Sequence, residues 1–125
     1  MVSSQALNSY AAVQVDAGVE GASSHQLISM LFEGVFARIA QAKGAIQQGD
    51  LALKAAKVSE TMKIIMGLRD FLDLEKGGEL AANLDSLYDY IQRTLMSAHI
   101  NNDTVKFDEC RELLSQVSDA WEKIA

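Results

Sequence analysis

The chain has 125 residues, 11 Lys plus Arg against 17 Asp plus Glu, and a formal net charge of −6. That length suits one domain with a core of its own, and the acidic balance argues against nucleic acid, whose phosphates need a basic face. A single cysteine excludes an intramolecular disulfide, and a hydrophobic fraction of 49% is too high for a disordered chain.

Residues 1–22 carry Gly18, Gly21 and several small polar residues, with Leu7, Tyr10, Val13 and Val15 scattered among them. They read as a flexible N-terminal arm. Leu7 and Tyr10 lie three apart, so one helical turn puts them on one side. The first fifteen residues have no charged side chain, but they lack a basic stretch followed by a continuous apolar run, so no secretory signal is read there. No apolar run approaches the length of a membrane span. The expectation is a cytoplasmic protein with no membrane insertion.

Residues 23–125 read as one all-α domain. The chain contains no proline and is rich in Ala, Leu, Gln, Glu and Lys. Ser23 and Gln26 form a capping box that opens a first helix over 24–48, with Ile28, Phe32, Val35, Ile39, Ala42 and Ile46 on one face. Gly49-Asp50 ends it and caps a second helix over 50–74, with a stripe at Ala55, Val58, Met62, Ile65 and Leu72. Gly77-Gly78 precedes a third over 79–101, striped by Leu80, Leu84, Leu87, Ile91, Leu95 and Ala98. Asn101-Asn102-Asp103 precedes a fourth over 103–125, striped by Phe107, Cys110, Leu114, Val117, Trp121 and Ile124. Four helices of similar length on short turns predict an antiparallel four-helix bundle.

Catalytic and metal-binding patterns are not found. Cys110 lies inside an apolar stripe and reads as a core thiol. His25 and His99 have no Glu three residues before them, which a di-iron bundle would need. Asp70, Asp73 and Glu75 are too sparse for a calcium loop. Asn102-Asp103-Thr104 matches a glycosylation sequon but is better explained as a helix cap. No cofactor is implied, and the chain is not expected to be an enzyme.

The informative feature is surplus apolar surface. Leu53, Ile64, Leu68 and Phe71 form a second stripe on the second helix, about 120° from the first. Leu27 and Met30 lie off the first helix's core face. Met96 and Ile100 lie nearly opposite the stripe of the third helix, which Tyr88 and Tyr90 flank. Leu113 and Ala120 edge the fourth. Such a surplus predicts a groove for an amphipathic partner segment, which Met side chains would let adapt, with the arm's Leu7 and Tyr10 as a cover. Wide core faces, a bent bundle or homodimerisation would bury the same residues without a partner. Groove walls are expected at Ile64, Leu68 and Phe71, with a neighbouring edge at Leu113 and Ala120; Tyr88 suits either core flank or wall.

The run Leu72-Asp73-Leu74-Glu75-Lys76-Gly77-Gly78-Glu79-Leu80-Ala81-Ala82-Asn83-Leu84-Asp85-Ser86-Leu87-Tyr88-Asp89-Tyr90-Ile91 closely resembles the signature of the flagellar secretion chaperone FliS family. Leu31-Phe32-Glu33-Gly34, Leu95-Met96-Ser97-Ala98 with the Asn101-Asn102-Asp103 turn, Trp121, and Tyr10 in the arm agree with it. Ser24-His25-Gln26 departs from the Pro-Glu-Lys type of helix start in many members. The resemblance implies a cytoplasmic four-helix bundle without enzymatic activity. It implies binding of the disordered C-terminal region of flagellin, which prevents premature polymerisation, and delivery to the export gate protein FlhA. It also implies that the arm occupies part of the client surface in the free state. The alternative reading is a self-associating structural bundle, a homodimer without a flagellin client.

Overall fold

The computed structural model describes residues 23–123. They form α1 (Ser24–Gln48), α2 (Leu51–Asp70), α3 (Gly78–Asn101) and α4 (Thr104–Glu122). Leu7, Tyr10 and Ile124 lie outside the described residues.

Local chemistry sets the helix ends. The Ser23 hydroxyl accepts from the Gln26 N–H at 3.1 Å, and the Ser23 N–H donates to the Gln26 side chain at 3.0 Å. These reciprocal bonds satisfy two donors that the first turn of a helix leaves unpaired. Gly49 closes α1 in the left-handed conformation at φ 73°, and Asp50 caps α2 by accepting from the Leu53 N–H at 3.0 Å. Asp103 caps α4 through the Val105 and Lys106 N–H groups.

α2 ends four residues before the predicted position. The Asp73 carboxylate accepts from the backbone N–H of Glu75 at 3.2 Å and of Lys76 at 3.0 Å, which gives the chain a turn in place of another helical repeat. These two bonds, the one to Lys76 foremost, hold the Asp73 carboxyl below its ordinary range. The glycine pair then has two distinct tasks. A Cβ on Gly77 would sit 2.6 Å from the Ala81 Cβ, whereas Gly78 takes φ +57°. The first position needs space and the second a left-handed backbone.

Each helix packs on two neighbours, in the order α1, α2, α3, α4 and back to α1. Short turns make consecutive helices antiparallel, and α4 also runs antiparallel to α1. Near one end of that pair Ser29 donates to Glu122 at 2.7 Å, and near the other Lys43 pairs with Asp108. His25 and Trp121 lock the first of these ends. Their rings stack with centroids 4.8 Å apart, and the Trp121 Nε1–H donates to the His25 carbonyl at 3.2 Å. The His25 Nε2 lies 3.1 Å from the Trp121 carbonyl. A carbonyl only accepts, so that ring nitrogen carries a proton. The bundle is thus a closed ring of four seams around one apolar core, as expected from the four stripes.

α2 presents one wide buried face, where the sequence suggested two stripes. Val58, Thr61, Ile64, Ile65, Gly67 and Leu68 are buried, and Phe71 joins them just past the helix. Ala55, assigned to the inner stripe, is exposed. On α1, Leu27 is likewise buried, although its position is off the predicted face. A helix held between two neighbours buries an arc wider than a single heptad line.

Candidate functional site

α3 has two flanks, and they are built differently. Its α2 flank is sealed by polar bonds. The Arg69 guanidinium grips Asp85 with Nε–Oδ1 at 2.8 Å and Nη2–Oδ2 at 3.2 Å, and its Nη1 donates to the Gln92 side chain at 2.8 Å. The Gln92 amide donates on to the Met62 carbonyl at 3.4 Å. The bidentate pair holds the Asp85 carboxyl below its ordinary range, against the opposing effect of partial burial, and raises Arg69. At the other end of this seam the buried Lys54 ammonium donates to the His99 carbonyl at 2.9 Å and to the Asn102 side chain. It thereby satisfies a carbonyl of the last α3 turn.

The α4 flank of α3 opens along its length. In the half near the α3–α4 turn, Ile91, Leu95, Ala98, Phe107 and Cys110 are fully buried. The Cys110 thiol donates to the Ile91 carbonyl at 3.7 Å, and burial pushes its pKa up to about 12. This is an inert core thiol, as the stripe implied. Tyr90 marks the midpoint, its hydroxyl donating to Glu109 at 2.6 Å. Beyond that level the stripes continue but their burial does not. Leu84, Leu87, Leu113, Val117 and Trp121 are only partly buried, and Leu80 is 70% exposed. The Tyr90–Glu109 register and the i, i+3/i+4 spacing put Leu87 level with Leu113, Leu84 with Val117 and Leu80 with Ala120. The result is an apolar strip about 10 Å long, or two helical turns.

The predicted groove residues divide accordingly. Leu113 is half-buried and Ala120 exposed, and both lie on this strip. Ile64, Leu68, Phe71 and Tyr88 belong to the buried core cluster at 0%, 3%, 7% and 4% exposure, and line no open face in this conformation. Burial pushes the Tyr88 hydroxyl's pKa up. Leu84, Leu87 and Val117 lie on predicted core stripes, but in the structure they are strip residues. Their periodicity is that of a core stripe, and nothing local distinguishes a covered stretch from an uncovered one. Met96 and Ile100 are exposed, as their position opposite the α3 stripe implied.

Two further absences hold among the described residues. No group of His, Cys, Asp and Glu is arranged to hold a metal ion, and no helix is long and apolar enough to cross a membrane. The strip offers apolar contact and carboxylates at its edges.

The family model described as Flagellar protein FliS matches residues 6–125. This chain belongs to the FliS family. It is 41% identical over 126 residues to the flagellar secretion chaperone FliS of Salmonella typhimurium, covering 100% of this chain and 93% of that protein. It is 40% identical over 125 residues to the flagellar secretion chaperone FliSB of Pseudomonas aeruginosa, covering 100% and 99%. A more distant FliS, from Bacillus subtilis, is 32% identical over 116 residues, with 93% and 85% covered. FliS membership agrees with the motif read over residues 72–91 and with the four-helix architecture.

Proposed function

We propose that this protein is a cytoplasmic export chaperone that binds the disordered C-terminal region of flagellin, keeps it from polymerising, and presents the loaded complex to the export gate protein FlhA. Family membership supports the chaperone role. The observation that carries the client surface is the half-open apolar strip of Leu84, Leu87, Leu113, Val117 and Ala120 between α3 and α4. Polymerisation requires flagellin ends to pack on one another, and a chaperone that covers an end removes the surface on which they pack. A few hundred Å² of apolar contact, at about 25 cal/mol per Å², supplies roughly 5–10 kcal/mol gross. That is enough to offset the roughly 2–5 kcal/mol of ordering a disordered segment. The function requires no catalytic group.

A client that reaches Ile64, Leu68, Phe71 or Tyr88 has to open the core face first, so we place the first contact on the strip. Leu7 and Tyr10 are assigned to cover client surface in the free protein. Deleting residues 1–17 should then raise apolar-dye binding and client affinity, and an unchanged value of both would remove the assignment.

The deciding experiment is calorimetric titration of the full chain with a peptide of about forty residues from the C-terminus of the cognate flagellin, long enough to span the strip with a linker. One-to-one binding with a negative heat-capacity change is expected for coupled ordering on an apolar surface. No binding, together with a dimer in light scattering, would favour the self-associating bundle.

A further inference from the structure

Charge is distributed unevenly over the ring. α1 and α2 together carry six Lys and Arg against three Asp and Glu, whereas α3 and α4 carry three against eight. The seams reflect this. Arg38–Glu60 joins α1 to α2 at 3.0 Å, Arg69–Asp85 joins α2 to α3 at 2.8 Å, and Lys43–Asp108 joins α1 to α4. Among the described residues no ion pair joins α3 to α4. Helical register places Glu79 on the α3 side of the apolar strip, and Glu109 and Glu112 on the α4 side. None of the three is in an ion pair among the described residues. Arg93, the only cation of α3, is turned to Asp89 at 3.0 Å. Lys106 donates to Ser97 at 2.8 Å, toward the closed half of the seam.

An apolar floor between two rims of like charge is complementary to a segment with an apolar face and cationic flanks. We infer that the α3–α4 strip selects a client segment of about two helical turns whose flanking side chains are Lys or Arg, with Glu79, Glu109 and Glu112 as the groups that receive them. This rests on the proposed client surface and adds the charge of its occupant. It also separates the client from the chain's own arm, since residues 1–22 contain Asp16 and Glu20 and no Lys or Arg. An acidic arm is a poor electrostatic match for an acidic rim and a cationic client a good one, so the client displaces it.

The test titrates the full chain with the same flagellin peptide at about 0.05 M and about 0.5 M NaCl, a range over which the screening length shrinks severalfold. It compares the native chain with the triple variant Glu79→Gln, Glu109→Gln, Glu112→Gln. Gln at 109 retains an acceptor for Tyr90, and circular dichroism checks that the variant is folded. Native affinity should fall by about ten-fold across the salt range, and the triple variant should bind about ten-fold more weakly at low salt and show little salt dependence. The control Lys63→Gln, on the cation-rich α2, should leave the affinity unchanged or raise it slightly. Equal affinities of native and triple variant at both salt concentrations would overturn the charge inference while leaving the apolar client surface standing. No binding under any condition would overturn both.

Discussion

The two flanks of α3 differ in what they leave unsatisfied. Toward α2, the charges of Arg69, Asp85 and Asp89 meet within the chain, and Lys54 closes the far end. Toward α4, the apolar strip is partly covered and its carboxylates Glu79, Glu109 and Glu112 make no ion pair among the described residues. A seam that satisfies its own charges is complete in the free protein. A seam with an uncovered apolar floor and like-charged rims retains binding energy for another molecule. On the proposed reading, one helix is a structural wall on one side and the docking surface on the other.

Substitutions sharpen this contrast, beginning with the largest effect. Leu114 is fully buried in the core cluster, one residue from the half-buried Leu113. Leu114→Ala should cost about 2–5 kcal/mol in urea unfolding, the usual range for a leucine cavity. A loss under about 1 kcal/mol would mean that the core beneath the open half is itself loosely packed.

The paired change Leu87→Gln, Leu113→Gln removes apolar area from the open half. It should weaken the flagellin peptide by about 10- to 100-fold, or roughly 1.4–2.7 kcal/mol. Its effect on unfolding should be smaller than that of Leu114→Ala, because both side chains are only half-buried. If stability falls and binding does not, the open half is core after all.

Gly77→Ala should destabilise the fold by about 1–3 kcal/mol, because the added Cβ would approach the Asp73 carbonyl oxygen to 2.7 Å. Thermal melting of this variant tests whether the turn sets the entry of α3.

The smallest effect concerns the sealed flank. A double-mutant cycle with Arg69→Met and Asp85→Ala should give a coupling of about 1 kcal/mol, at the upper end for partly exposed pairs because the contact is bidentate. The same pair predicts a pH dependence. Arg69 depresses the Asp85 carboxyl in the folded state, so its contribution is fully present above the ordinary carboxylate value of about 3.9. It is lost as pH falls below that value through the depressed one. Between neutral pH and pH 3 the native chain should therefore lose more stability than Asp85→Asn. Parallel urea curves for the two proteins would remove this flank from the acid response.

The Asp85 linkage was not legible beforehand, because it joins residues sixteen apart whose approach depends on how α2 and α3 are rotated. Leu27 and Ile64 are buried off their expected faces for a related reason. Both lie off the line of a single heptad stripe, and the arc a helix buries depends on how many neighbours it has. The outward stretch of Leu80, Leu84 and Leu87 has the same periodicity as the buried stretch of Ile91, Leu95 and Ala98.

By itself the sequence determined the four helices of residues 23–123, most of their ends and the family. Caps such as Ser23 with Gln26, Gly49, Asp50 and Asp103 act within one turn of chain, and the motif over residues 72–91 is contiguous. Tertiary structure alone decided which lengths of the apolar stripes are covered and which charges find a partner. Periodicity gives the direction in which a side chain points, whereas its burial depends on whether another helix lies there.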